Sequence, residues 1–264
     1  MSFDDRVVIV TGAARGIGRA CAARFGKEGA RVVLADIDEK AGEEAAKDLN
    51  ETGSEVRFVH CDIGNRLDVH NLIAETLEAY DRIDVLVNNA AKLDSVSVLE
   101  LEADEFTEVL RVNVVGTFLM SQAVAQQMVA QIEEGGEPGA IINMSSVNAV
   151  FALPDHAAYS VSKGGIAQLT KAFALALADT GIRVNAIAPG SVKTEMLEAI
   201  AEDEKASARI LSRTPLGRFA EPSEIAAIAV FLASDEASYI TGTTVFADGG
   251  RLPLNYTVDV PGED

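Results

Sequence analysis

The chain has 264 residues, 48% hydrophobic and 24% charged, which suits one large α/β domain and excludes disordered, collagen-like and mucin-like chains. Its 41 acidic against 22 basic residues give a net charge of −19, a surface that repels nucleic-acid phosphates and anionic lipid; neither nucleic acid nor membrane is expected as a partner. Two cysteines and three histidines are too few for a disulfide framework or a metal cluster. With an acidic stretch from Ser2 to Asp5 and an apolar run, Ile225–Ala233, of about half a membrane span, a cytoplasmic location is expected.

The predicted elements alternate from the start. Arg6–Val10 is a continuous apolar run, as expected of a strand buried on both faces of a parallel sheet. A glycine-rich turn and a helix to Gly29 follow, then a strand Arg31–Ala35 that ends at Asp36. A charge-rich helix over 39–50, a strand Val56–Val59, a helix over 66–80 and a strand Ile83–Val87 complete a βαβαβαβ run. Right-handed crossovers then give a doubly wound, mostly parallel sheet of about seven strands with helices on both faces. The rhythm continues with a long helix near 104–132, a strand Ala140–Met144, a helix near 157–179, a strand Arg183–Ile187, a helix near 222–233 and a strand near Thr244–Phe246. Gly135–Gly139 reads as a loop, so 1–264 is taken as one domain. Residues 191–216, polar and without a strand pattern, sit where a ligand crevice should open and read as a mobile substrate lid. The stretch 251–264 is expected to lie on a neighbouring subunit or to fray.

Thr11-Gly12-Ala13-Ala14-Arg15-Gly16-Ile17-Gly18 lies between the first strand and the first helix. Such a turn aims backbone N–H groups and a helix N-terminus at an anion, and its glycines let a pyrophosphate come close. Its spacing, G-x-x-x-G-x-G, departs from the common G-x-G-x-x-G. Asp36, 18 residues after Gly18, can accept hydrogen bonds from a ribose diol and would repel a 2′-phosphate, which favours NAD; Arg15 in the turn argues weakly the other way. Tyr159 and Lys163 stand at i and i+4 on one helix face. A nearby ammonium favours a phenolate, so Tyr159 is a candidate general acid/base with a lowered pKa. Ser145 and Ser146 follow a predicted strand, at the end where open α/β sheets place their sites.

Together, Thr11–Gly18, Asn88-Asn89-Ala90, Asn113, Ser146, Tyr159, Lys163 and Pro189-Gly190 resemble the short-chain dehydrogenase/reductase family, from Arg6 to Asp248-Gly249-Gly250. The 13-residue separation of Ser146 and Tyr159 matches the family's, so Ser146 rather than Ser145 takes the serine role. Ala91 departs from it, where the family usually has glycine. The resemblance implies a tetrad: Tyr159 exchanging the proton with the substrate oxygen, Ser146 hydrogen-bonding that oxygen, Lys163 holding the nicotinamide ribose, and Asn113 anchoring a relay water. It also implies cofactor contacts at Gly12, Arg15, Gly16, Ile17, Gly18 and Asp36. Asp62 and Ile63 would lie at the adenine, Asn89 and Ala90 along the ribose, and Pro189, Gly190, Val192 and Thr194 at the nicotinamide and phosphates.

The expected function is NAD-dependent interconversion of a secondary alcohol and a ketone, with a sugar, polyol, cyclic alcohol or steroid-like substrate. Pocket candidates are Ser146, Asn148, Phe151, Leu153, His156, Tyr159, Met196 and Leu197. Alternatives are a 3-oxoacyl thioester reductase, since such members share endings like Thr241-Gly242 and Asp248-Gly249-Gly250, and a non-catalytic NAD sensor. The resemblance further implies a homotetramer joined through the helices near 104–132 and 157–179.

Overall fold

The computed structural model describes residues 2–195, 197 and 203–260. Seven strands form one parallel sheet in the order β3-β2-β1-β4-β5-β6-β7. They are β1 (Val7–Thr11), β2 (Arg31–Asp36), β3 (Glu55–His60), β4 (Val85–Asn88), β5 (Ala140–Met144), β6 (Arg183–Pro189) and β7 (Thr244–Ala247). All five residues of β1 and of β5 are buried, which is why their apolar runs do not alternate. Edge strand β3 is only partly buried, with Val56 and Val59 turned into opposite core clusters and Glu55, Arg57 and His60 exposed.

Helices α1 (Gly16–Lys27), α2 (Glu39–Glu51), α3 (Arg66–Tyr80), α4 (Ala103–Leu110), α5 (Thr117–Glu133), α6 (Ala157–Ala176), α7 (Glu204–Leu211) and α8 (Pro222–Ala233) cover the sheet. One core cluster joins Phe25 of α1 and Val230 of α8 to Val8, Val10 and Ile142; the other joins Leu72, Met120 and Met128 to Ile9, Leu86 and Ile141. Phe25 is also pinned edge-on by Phe3, with ring centroids 5.1 Å apart.

Two long predicted helices are interrupted. The 104–132 pattern is α4, a π-helical segment Arg111–Gly116 and then α5, so one wide turn sits mid-helix at Asn113. Such bulges occur frequently at functional sites. The 157–179 pattern ends at Ala176 and continues as a short 3₁₀ turn, Ala178–Thr180, that Gly181 closes at φ +80°. Within 191–216, Val192 bridges to Ala220, and α7 starts where the Asp203 carboxylate accepts the Lys205 and Ala206 N–H groups at 2.9 and 3.2 Å. The described part of the tail is held at one point. The Val258 N–H donates to the Ser212 carbonyl at 2.9 Å, so the tail is tied to the turn that follows α7 of this same chain.

Candidate active site

β1 has β2 on one side and β4 on the other, so the connections leave it in opposite directions at the C-terminal ends of these strands. Asn89, just past β4, spans that crevice. Its Nδ2 donates to the carbonyls of Thr11 and Gly12 at 3.1 and 2.9 Å, and its own N–H donates to Thr11 Oγ1 at 3.0 Å. The Ala90 N–H reaches the same hydroxyl at 3.1 Å. Gly12 and Gly16 hold φ of +61° and +55°, which L side chains rarely adopt. At Gly18 an added Cβ would run into the Gly12 carbonyl and come within 2.6 Å of Asn89 Nδ2. These glycines are therefore needed for the closeness of the turn, and Ile17 follows inside it on α1.

The acidic group at the end of β2 is braced by the same turn. One Asp36 oxygen accepts the Ala14 N–H at 3.0 Å and the other accepts the Asp38 N–H at 3.1 Å. Arg15 is paired with Asp38, and with Glu195 at 3.5 Å. Further along the crevice, Asp62 holds the Gly64 N–H at 2.8 Å and pairs with Arg111 at 3.0 Å, while Ile63 is buried beneath Gly116. On the other side, Gly190 follows Pro189 with its N–H on the Ala247 carbonyl at 2.9 Å. Val192 is buried, and the Thr194 methyl lies 3.3 Å from where a Cβ on Gly16 would stand.

Past β5, Ser146 begins the 3₁₀ turn Val147–Ala149, its Oγ accepting the Asn148 N–H at 3.1 Å. Tyr159 and Lys163 rise from the first turns of α6, with the Lys163 ammonium 5.4 Å from the centre of the phenol ring. Lys163 is 4% exposed and donates to the Met144 carbonyl at 2.6 Å. Burial pushes its pKa down to about 8. In the ligand-free chain the lowering expected for the tyrosine is opposed by burial. Burial pushes the Tyr159 phenol up, while its contact with the Ser146 hydroxyl pulls the other way.

Asn113 has its whole amide engaged. Its Oδ1 accepts the Lys92 N–H at 2.7 Å, and its Nδ2 donates to the Lys92 carbonyl and Ser162 Oγ, both at 2.9 Å. The π turn thus ties the loop after β4 to α6. Of the pocket candidates, Asn148, Phe151 and Leu153 lie on the loop between Ser146 and α6. His156 sits at the N-cap of α6 with Nδ1 2.8 Å from Asp155 Oδ1. Leu197 donates its N–H to the Thr194 carbonyl at 2.7 Å, and Met196 lies outside the described residues. A cavity of about 580 Å³, lined by Pro215, Leu216, Ile225 and Phe246, lies against β7 and α8 and includes neither Ser146, Tyr159 nor Lys163.

The sequence did not single out Asp94. It is 3% exposed, and its two oxygens accept the Ala158 and Tyr159 N–H groups at 3.1 and 2.8 Å. It therefore caps α6 from 64 residues away, which no local capping pattern could reveal.

Residues 12–251 match the family model described as enoyl-(acyl carrier protein) reductase. The chain belongs to the short-chain dehydrogenase/reductase family. This dehydrogenase/reductase is 40% identical over 251 residues to an uncharacterized oxidoreductase of Thermotoga maritima, covering 94% of this chain and 96% of that one. It is 37% identical over 252 residues to the 3-oxoacyl-(acyl carrier protein) reductase of the same organism, covering 96% and 100%. Its fold matches a solved structure described as a putative gluconate dehydrogenase from Agrobacterium tumefaciens with a TM-score of 0.90 and 31% identity, over 96% of this chain and 98% of that one. It is thus an oxidoreductase acting on CH–OH groups with a nicotinamide cofactor, NAD or NADP. The glycine cradle at Gly12–Gly18, which a single Cβ would fill, fits the pyrophosphate of such a cofactor.

Proposed function

We propose that this dehydrogenase/reductase uses NAD to interconvert a secondary alcohol and a ketone. The observation that carries the chemistry is the grouping of Ser146, Tyr159 and the buried Lys163 ammonium at the C-terminal end of β5. A bound nicotinamide would supply the hydride acceptor for the carbinol carbon and, in reduction, the hydride donor for the carbonyl. Tyr159 takes the hydroxyl proton in oxidation and gives it back in reduction. Ser146 holds the reacting oxygen. Lys163, drawn from the Met144 carbonyl toward the nicotinamide ribose, would place its positive charge where it favours the phenolate. Asn113 acts here by fixing the Lys92 loop against Ser162, beneath Tyr159.

The preference for NAD rests on charge. The Arg15 guanidinium, the cation in the turn, is already committed to Asp38 and Glu195, and Asp36 adds a further carboxylate beside the turn. A 2′-phosphate there would meet two aspartates and an arginine already neutralised. Asp62 and Ile63 would flank the adenine, with Asn89 and Ala90 along the ribose and Val192 and Thr194 near the nicotinamide and phosphates. The relative described as a 3-oxoacyl reductase favours a second reading, reduction of a 3-oxoacyl thioester, but that reaction usually runs on NADPH. The exposed apolar side chains Val115, Phe118 and Val161 near α5 and α6 support a homotetramer, and the buried free thiols Cys21 and Cys61 support the cytoplasm.

A panel of alcohols, polyols, hydroxy acids and their ketones, assayed by nicotinamide absorbance with both cofactors, tests the reading. NAD⁺ should be preferred at least tenfold in kcat/KM, about 1.4 kcal/mol, and Asp36→Ala should erode that preference. Equal efficiency with NADP⁺ would overturn the cofactor assignment. Turnover confined to 3-oxoacyl thioesters would establish the second reading.

A further inference from the structure

The charge on the cleft wall runs against the rest of the molecule. The chain carries −19 overall, yet Arg209 stands near Asp155 and Arg251, with Arg213 near it, stands over Phe151, both on the loop that leads from Ser146 to α6. Arg209, on α7, is close enough to Asp155 to help hold that carboxyl below its ordinary range, after the larger effect of the His156 hydrogen bond. Arg251 lies over the Phe151 ring at 4.8 Å from its centre, five residues past Ser146. Such stacking leaves the guanidinium edge free to bind something else.

That edge lacks a partner. Among the described residues, Arg251 Nη1 is buried and makes no hydrogen bond. Burial pushes the Arg251 pKa down and the like charge of Arg213 adds to this, while Asp248 opposes both. Asp248 has little left to offer, because its oxygens already accept the Gly250 and Leu252 N–H groups at 2.9 and 2.8 Å. A half-buried cation beside a second cation, with an unmet donor, is costly unless an anion completes it. A carboxylate fits the planar fork best, by two parallel N–H···O bonds.

We propose that Arg251, with Arg213 behind it, receives a carboxylate of the substrate, so that the alcohol oxidised is a hydroxy acid and the ketone formed is an oxo acid. This rests on the alcohol–ketone reading above and narrows its substrate class. Phe151 becomes the apolar floor between the reacting carbinol and the anion, and the tail becomes part of the substrate site. The redox step is unchanged. The carbinol C–H leaves as hydride to the nicotinamide, its O–H proton goes to Tyr159, and the carboxylate takes no part in bond making.

The test compares matched acids and neutral counterparts on the full chain with NAD⁺ and NADP⁺. The pairs are 3-hydroxybutanoate against its methyl ester, in both enantiomers, and gluconate against glucitol. For at least one pair the acid should have the higher kcat/KM. In Arg251→Gln the acid-to-neutral ratio should fall about ten- to hundredfold, through KM more than kcat, as expected for a lost charge-assisted pair. Arg251→Lys should recover part of it. Esters and polyols oxidised as well as their acids, or an equal fall for both in Arg251→Gln, would overturn the anion site and leave the alcohol–ketone reading standing. No turnover of any alcohol or ketone with either cofactor would overturn both.

Discussion

The turn after β1 and the cluster at the head of α6 are built by opposite means. The turn depends on side chains that are missing. Gly12, Gly16 and Gly18 leave room for backbone to approach backbone, and Asn89 ties the result to the neighbouring strand. The cluster depends on polar side chains that are present and buried, each with a distant partner: Asp94 on the α6 N–H groups, Asn113 on Lys92 and Ser162, Lys163 on Met144. A turn made from glycines fails by overcrowding. A cluster made from hydrogen bonds fails when one partner is removed and another is left unsatisfied.

The sharpest break falls on the cluster. Tyr159→Phe keeps the ring but removes the hydroxyl, so kcat should fall about 10²- to 10⁴-fold while NAD affinity, measured by fluorescence titration, stays near the wild-type value. Most activity retained on a good substrate would show that the proton moves elsewhere. On the turn, Gly18→Ala should do the reverse. Its Cβ has no space beside the Gly12 carbonyl and Asn89, so calorimetry should show a loss of about 1–3 kcal/mol, with cofactor affinity falling alongside it. An alanine variant with unchanged melting and cofactor binding would show that the turn is looser than its geometry.

Asp94 tests whether the cluster is held at a distance. Asp94→Ala should lower stability by about 1–2 kcal/mol by uncapping α6, and kcat should drop more than KM rises, because Tyr159 sits in the uncapped turn. Asp94→Asn, which can still accept one N–H, should restore part of both. An effect on stability alone would make Asp94 structural only. The smallest effect concerns pH. Lys163 is pushed down to about 8 by burial, so between about pH 8 and 10.5 the unfolded chain holds this proton and the folded chain does not. Unfolding then takes up a proton, and the ligand-free protein should gain stability as pH rises through that window. Lys163→Met should flatten that slope in thermal melts recorded at several pH values.

The sheet was legible because burial on both faces writes itself as unbroken apolar runs, and strand ends came within one or two residues throughout. The π turn was not, since Arg111–Gly116 carries the same helical periodicity as its neighbours. In the site, Gly12–Gly18 with Asp36 and Ser146 with Tyr159 and Lys163 could be picked out because each group is short-range or fixed in spacing. Asp94 and Arg251 act across 64 and 100 residues of chain, as a plain acid in a loop and a plain base in a tail. The i, i+4 spacing also placed the Lys163 ammonium near the phenol, but it could not show the burial that pushes the Tyr159 phenol up in the ligand-free chain or the hydrogen bond from Lys163 to the Met144 carbonyl.

The tail over Phe151 also sets an order of assembly. The hydrogen bonds that close the dinucleotide turn onto Asn89 and Ala90 join residues synthesised before residue 91, whereas Arg251 and the Val258 link to Ser212 leave the ribosome after all seven strands. A growing chain can therefore form the turn and its Asn89 tie before Thr194, α8 and the wall of the alcohol cleft exist. A bulky fusion placed after the tail would load that wall, whereas one ahead of Ser2 would lie beyond the buried Phe3 anchor.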